Sequence, residues 1–228
     1  MGQIGFLGSF DKKDILLNVA KILTELGKKV LIVDATLMQR LKYIVPNVSN
    51  NNSITYISEY QGIDVALGFM NFLQISQYLG TTQIPYDLIL IDSDNIQTMN
   101  SFAIPRLQKI FFVTSYDQYE ISRMIETFQY YNQPMELIKV VLSADNSPKQ
   151  AQYLAHLLEK TPIKLKNAEI YFNDTIEDRK ATLENQLMKE IRIKRYSNSY
   201  RDSLEYLTAM VAENIASQAD IKKAIKKL

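Results

Sequence analysis

Three residues suited to ligand binding each follow a short apolar run of the sequence. Asp34 and Asp92 each follow a run of four apolar residues, and Gly8 follows a run of three apolar residues and a glycine. Such runs are typical of strands buried on both faces of a parallel sheet, and these sheets bind ligands at the carboxyl ends of their strands. We therefore predict that Gly8, Asp34 and Asp92 lie at one ligand-binding edge.

The residue types that are missing narrow the chemistry at that edge. The chain has no cysteine, which excludes disulfides, cysteine-bearing zinc sites and thiol nucleophiles. His156 is the single histidine, which removes multi-histidine metal sites and disfavours a hydrolytic triad. We assign His156 no role, and we predict no metal site and no catalytic residue.

Composition and charge indicate a globular protein of modest net charge. The 228 residues are 46% hydrophobic and 22% charged, which is enough apolar material for a core and excludes a disordered chain. No apolar run reaches transmembrane length and no basic region precedes an apolar stretch at the N-terminus, so we expect a cytoplasmic protein. The net charge of +1 makes a nucleic-acid partner unlikely, although residues 179–228 hold 11 basic and 6 acidic side chains.

Short apolar runs alternate with helical patterns along most of the chain. This order predicts one α/β domain over residues 1–228, with a doubly wound, mostly parallel sheet and helices on both faces. A basic helix is predicted over about 203–228, and residues 50–53 are predicted to form a loop. The predicted strands are 4–8, 30–33, 54–57, 88–91, 110–113 and 137–142, and the main predicted helices are 15–26, 65–79 and 120–131.

The stretch from Asn18 to Ala35, a helix followed by a strand that ends in Asp34, resembles the ParA/MinD family of deviant P-loop ATPases. The segment Tyr86–Ser93 resembles the Walker B strand of that family, and later strands resemble it in order and spacing. The resemblance covers nearly the whole chain. It implies a P-loop NTPase-like fold and makes ATP a possible cofactor.

The phosphate loop departs from the family pattern of lysine, two glycines, any residue, glycine, lysine and a hydroxyl residue. Leu7 replaces the first lysine, Asp11 replaces the last loop glycine, and Lys13 stands where the magnesium-binding hydroxyl is expected. A carboxylate at this point opposes phosphate charge, and an ammonium cannot coordinate a cation. If nucleotide binds, the resemblance assigns it to Gly8, Ser9, Lys12, Lys13, Asp34 and Asp92.

Two further family positions are also changed. Ser93, Asp94 and Asn95 replace the residues that sense the third phosphate, and Ser143 replaces the asparagine that reads adenine. These losses predict a degenerate ParA/MinD-like protein without efficient ATP hydrolysis. It would act as an interaction or positioning module for a larger assembly such as secretion, pilus or partition machinery. The alternatives are an ATP-binding ATPase with an altered loop and a DNA-partition factor.

The expected partners are proteins, including a second copy of the chain. The segment Ile221–Leu228 places its apolar residues on one helical face and its lysines on the other. It contacts an anionic membrane surface, which would make the protein peripheral at the inner membrane face, or a groove on a partner, or it packs on the domain. Lys189–Arg195 is predicted to be an edge strand or loop. Base stacking by tyrosines such as Tyr196 and Tyr200 is unlikely.

Overall fold

The computed structural model describes residues 2–47, 54–143 and 147–228, and its strands form one eight-stranded sheet. The predicted loop at residues 50–53 lies outside the described residues. The strands are β1 (Gly2–Leu7), β2 (Val30–Asp34), β3 (Tyr56–Tyr60), β4 (Ile63–Leu67), β5 (Leu88–Ser93), β6 (Ile110–Thr114), β7 (Met135–Leu142) and β8 (Ile163–Phe172). The helices are α1 (Lys13–Glu25), α2 (Phe72–Leu79), α3 (Ile96–Ser101), α4 (Gln118–Gln129), α5 (Pro148–Leu158), α6 (Ile176–Met188), α7 (Asn198–Val211) and α8 (Gln218–Lys227).

The sheet runs in the order β3-β4-β2-β5-β1-β6-β7-β8, and only β3 is antiparallel to its neighbour. Strands β2, β5 and β6 are buried along their whole length, as continuous apolar runs require. One core lies between the sheet and α1, α7 and α8, and a second lies between the opposite face and α3, α4 and α5. The prediction of a doubly wound, mostly parallel α/β fold is therefore confirmed.

The hairpin β3–β4 corrects two of the sequence predictions. The predicted strand 54–57 is β3, displaced to Tyr56–Tyr60, and the first part of the predicted helix 65–79 is strand β4. A two-residue turn joins the two strands. Gly68 has φ 78°, and a Cβ there would lie 2.2 Å from the carbonyl oxygen of Ile54. A helix therefore begins only after Gly68, at Phe72.

The basic C-terminal helix predicted over 203–228 is two helices, α7 and α8. Ser217 caps α8 by accepting a hydrogen bond from the backbone N–H of Asp220. Ile221, Ala224 and Ile225 are buried in the same core as α1 and α7. The apolar face of α8 is therefore covered by the domain, and a membrane surface would meet only its exposed lysines.

The segment 189–195 is not an edge strand. It is a loop that ends in a 3-10 turn at Ile193–Arg195, and its two isoleucines, Ile191 and Ile193, are buried. The edge strands are β3 and β8, and β8 was not predicted from the sequence. Tyr196 and Tyr200 are also buried, with their rings stacked 4.4 Å apart, so base stacking is not available to them.

Candidate functional site

The loop between β1 and α1 lies directly against the neighbouring strand β6. Gly8 has φ 151°, and a Cβ at this position would lie 1.9 Å from the carbonyl oxygen of Val113. The backbone N–H of Gly8 donates to the carbonyl of Ser93 at 3.2 Å. A glycine is required here because the loop backbone enters the space that any side chain would fill.

The Lys12 side chain turns back into the loop and is almost fully buried. Its Nζ lies 2.9 Å from Oδ1 of Asp92 and donates to the carbonyl oxygens of Phe10, at 3.1 Å, and of Gly8. An ammonium has three donors, and two of them are directed at these carbonyl oxygens. The contact with Asp92 Oδ1 is a close ion pair without hydrogen-bond geometry. The Lys12 charge is therefore held by oxygens of the protein and is almost fully shielded from solvent.

Asp92 is buried at the end of β5, opposite Asp34 at the end of β2. Burial raises the pKa of Asp92 to about 7, Lys12 partly offsets this shift, and the nearby carboxylates of Asp34 and Asp94 add to it. Lys12 is the cation that contacts Asp92 Oδ1 among the described residues. Near neutral pH this carboxyl group therefore carries only part of a negative charge.

Asp34 holds the turn that follows β2. Its carboxylate accepts hydrogen bonds from the Thr36 hydroxyl at 2.6 Å, the Thr36 N–H at 3.2 Å and the Leu41 N–H at 3.1 Å. Burial raises the pKa of Asp34, and these hydrogen bonds act against the shift. The contacts give Asp34 a structural role in shaping one wall of the cleft.

A cluster of two carboxylates and two cations fills the start of α1. The Lys13 Nζ lies 2.5 Å from Asp11 and 3.3 Å from Asp14, and Arg40 lies 2.9 Å from Asp11. Burial acts to raise the pKa of Asp11, but Lys13 and Arg40 outweigh it and hold the pKa below its usual value. Asp11 is therefore an ionised carboxylate inside the phosphate loop, and Lys13 is engaged by acidic neighbours.

A cleft of about 250 Å³ opens between this loop and α4. Ligand pockets are usually about 300 to 1,000 Å³, so the cleft is small for a nucleotide. Sequence reasoning missed Thr36, Arg40 and Asp94, which lie within six residues after a strand-ending aspartate, and also Tyr119 and Arg123 of α4. The cleft is lined by all six residues assigned from the sequence, Gly8, Ser9, Lys12, Lys13, Asp34 and Asp92.

Other candidate groups in the described part of the chain show no further chemical site. No group of three or more potential metal ligands is found there. None of the helices described combines the length and apolar character needed to cross a bilayer. His156 is exposed, and its Nδ1 lies 3.3 Å from Glu159 of the same helix region.

Basic residues near the end of α6 are largely occupied by contacts within the protein. Arg192 pairs with Glu190 at 2.6 Å, the Lys194 Nζ donates to the carbonyl of Lys227 at 2.8 Å, and Arg195 donates to Asn185 at 3.1 Å. Glu190 offsets the charge of Arg192, and the other two contacts fix the positions of Lys194 and Arg195 without neutralising them.

Comparisons with known proteins identify the fold. No protein-family model matches the sequence, and no curated protein matches it either. A ParA family ATPase from Chlorobium tepidum TLS has a TM-score of 0.60 at 16% identity, covering 90% of this chain and 96% of that chain. An McdA variant from Cyanothece in complex with ATP has a TM-score of 0.56 at 10% identity, with coverage of 95% and 98%. A chain of the MinC:MinD cell division protein complex from Aquifex aeolicus has a TM-score of 0.54 at 13% identity, with coverage of 92% and 96%.

These likenesses show that the chain has the ParA/MinD-like P-loop NTPase fold. Because the identities are low, they show the fold alone. The assignment of the six cleft residues to nucleotide stays a prediction.

Proposed function

We propose that this protein uses the ParA/MinD fold without efficient ATP hydrolysis and acts as an interaction or positioning module for a larger cellular assembly. The observation that carries the proposal is the buried Lys12 ammonium, which is held by Asp92 and two loop carbonyls. A P-loop lysine serves nucleotide by reaching the phosphates of the ligand. Lys12 would have to give up all of these contacts to do so.

The charges beside Lys12 add to this argument. A carboxylate about 4 Å from a phosphate charge costs on the order of 4 kcal/mol at an effective dielectric constant near 20. Lys13 and Arg40 offset the charge of Asp11, but Lys13 also pairs with Asp14. The four charges of this cluster sum to zero, so the cluster itself offers a phosphate no net positive charge.

The place of the magnesium-binding hydroxyl is the second obstacle to catalysis. Lys13 occupies it, and an ammonium donates hydrogen bonds but provides no oxygen for Mg²⁺. Asp92 is the carboxylate that would assist the ion, and its raised pKa leaves it partly protonated near neutral pH. Both features support a site that has lost metal-assisted hydrolysis.

The same edge of the protein supports a role in protein binding. Large apolar side chains are exposed at the cleft, from Leu37, Met38 and Tyr119, and at the adjacent groove, from Met70 and Tyr130. Exposed apolar patches are a common property of protein interaction surfaces. The exposed fractions are 64% for Leu37, 63% for Met38, 50% for Met70, 68% for Tyr119 and 78% for Tyr130. We propose a protein partner for this edge, and a second copy of the chain is one such partner.

A calorimetric titration with Mg-ATP tests the proposal. The unaltered protein should show no binding in the micromolar range, and the double variant Asp11→Gly/Lys13→Thr should gain measurable affinity because it removes the carboxylate and restores the hydroxyl. Asp220→Gly/Lys222→Thr is a matched control, since it makes the same exchanges at the same spacing on α8 and should gain nothing.

Two outcomes of this titration contradict the reasoning. A micromolar Kd for the unaltered protein, about −8 kcal/mol, would refute the loss of nucleotide binding. A double variant that is folded and still does not bind ATP would show that the shape of the loop, and not its charge, prevents nucleotide binding.

A further inference from the structure

Helix α6 presents its large apolar side chains to solvent. Ile176, Leu183 and Leu187 are 88%, 66% and 78% exposed. At about 100° per residue the three side chains fall within about 40° of one another, so they form one stripe along the helix. We call these three residues the α6 stripe.

The face of α6 that meets the protein is polar or small, which is the reverse of an ordinary surface helix. Asp178, Ala181 and Asn185 are its buried residues. Asp178 accepts hydrogen bonds from the N–H and the hydroxyl of Ser197 at 2.7 and 3.0 Å, and Asn185 accepts one from Arg195 at 3.1 Å. Hydrogen bonds therefore fasten α6 to the domain and leave its apolar side uncovered.

We propose that the α6 stripe is a self-association surface that packs, in parallel, against the same stripe of a second copy. The stripe has the spacing of a two-stranded coiled-coil seam, with Ile176 and Leu183 at d positions and Lys180 and Leu187 at a positions. In a parallel pair these residues meet their own counterparts across a two-fold axis.

Charge complementarity favours a second copy as the occupant and selects the parallel direction. Arg179 and Glu184 lie on opposite flanks of the seam, at a g position and at the e position five residues later. In a parallel pair a g residue faces the partner's e residue at this offset, so two Arg–Glu pairs form. In an antiparallel pair, e residues face e residues instead. Glu177 and Glu184 of one copy would then face the same two glutamates of the other copy, and their negative charges would repel.

The existing contacts of these charges allow the new pairs. Arg179 uses its Nε for Asp174 at 2.8 Å, which leaves its terminal nitrogens to donate elsewhere. The ion-pair partners of Glu184 among the described residues are distant, Lys180 at 3.9 Å and Arg195 at 4.0 Å.

Lys180 at an a position fixes the register of such a pair at a cost in stability. A helix of this length also gives a small interface, so the dimer should be weak and dependent on concentration.

This dimer goes beyond the proposed function, because it uses a different surface. No α6 residue lines the cleft between the phosphate loop and α4. Association through the stripe should therefore occur without nucleotide. A failure of the dimer leaves the nucleotide proposal intact, and a failure of the nucleotide proposal leaves the dimer intact.

Cysteine cross-linking of the full chain tests the geometry, because the chain has no cysteine of its own. Under mild oxidation Leu183→Cys should form a disulfide-linked dimer, since d residues face each other in a parallel pair. Leu73→Cys on α2 is the matched control, because Leu73 is also 66% exposed, and it should stay monomeric. Equal cross-linking of the two variants, or none of Leu183→Cys, overturns the proposal.

Sedimentation velocity over a concentration series tests the charge pairs. The unaltered protein should dimerise as its concentration rises, Arg179→Glu and Glu184→Arg should each weaken the dimer, and the double exchange should restore it. Far-UV circular dichroism checks that each variant is folded. A chain that is monomeric at every concentration, which is also the result expected if a different protein covers the stripe, overturns self-association. A double exchange that fails to restore the dimer overturns the parallel arrangement.

Discussion

The buried carboxyl group of Asp92 should make the folded protein less stable as the pH rises. Its pKa is raised by burial from 3.8 to about 7, with Lys12 partly offsetting the shift. Between these two values the folded state holds a proton that the unfolded state releases, so a rise in pH favours unfolding. The stabilisation is fully present below pH 3.8 and is lost as the pH rises through 7.

The size of this effect follows from the shift in pKa. A change from 3.8 to about 7 corresponds to about 4 kcal/mol of unfolding free energy. Burial also raises the pKa values of Asp14 and Asp34, so these groups add to the slope in the same direction. A variant in which only Asp92 is replaced separates the contribution of Asp92 to the pH dependence of stability from those of Asp14 and Asp34.

The variant Asp92→Asn has nearly the same shape and cannot titrate. Urea unfolding of both proteins at several values between pH 4 and 8 should give curves that diverge, with the variant gaining up to about 4 kcal/mol relative to the unaltered protein. In a second variant, Lys12→Met, Asp92 loses its cation. The pKa of Asp92 should then rise further, so the loss of folding stability should extend to higher pH.

Two results would refute this reasoning. Parallel pH profiles for the unaltered protein and Asp92→Asn would show that Asp92 keeps an ordinary pKa. A profile in which the unaltered protein gains stability relative to the variant as the pH rises would show that the Lys12 ammonium outweighs the cost of burial.

Two further substitutions test how the site and the C-terminal helix are built. Gly8→Ala should destabilise the protein by more than about 4 kcal/mol in urea unfolding, because the new Cβ meets the Val113 carbonyl at 1.9 Å. Gly27→Ala should cost only about 1 to 2 kcal/mol, since its φ is also positive but nothing lies within 4 Å of the new Cβ, and equal losses would contradict the close approach. Ile221→Asp should cost more than about 3 kcal/mol because it buries a charge in the core. Lys222→Asp should stay within about 0.5 kcal/mol, and a tolerated Ile221→Asp would mean that α8 does not pack on the domain.

The sequence was sufficient to predict that the residues at the strand ends meet at the cleft, although it did not reveal the other residues that line it. Asp34 and Asp92 each end a continuous apolar strand, and neighbouring parallel strands end at the same edge. The direction of the Lys12 side chain was not predictable in this way. It depends on the position of a carboxylate 80 residues away in the chain and on two loop carbonyls, and both follow from the tertiary structure.

The missed elements have local physical causes. Strand β4 has an apolar composition that also suits a helix, and the turn that precedes it and Gly68 after it decide between the two. The orientation of α6 reverses the rule that apolar residues face the core. Hydrogen bonds of Asp178 and Asn185 to other elements overcome the preference of Leu183 for burial, and no periodicity in the sequence reveals such bonds.

Steady-state phosphate release at saturating Mg-ATP tests the central claim most directly. The unaltered protein should release phosphate no faster than Asp92→Asn, because the Lys12 ammonium is held inside the loop and Lys13 stands where the magnesium-binding hydroxyl is expected. Turnover that clearly exceeds that of Asp92→Asn, and that Lys12→Met also abolishes, would contradict the account and establish an active ATPase with an altered loop.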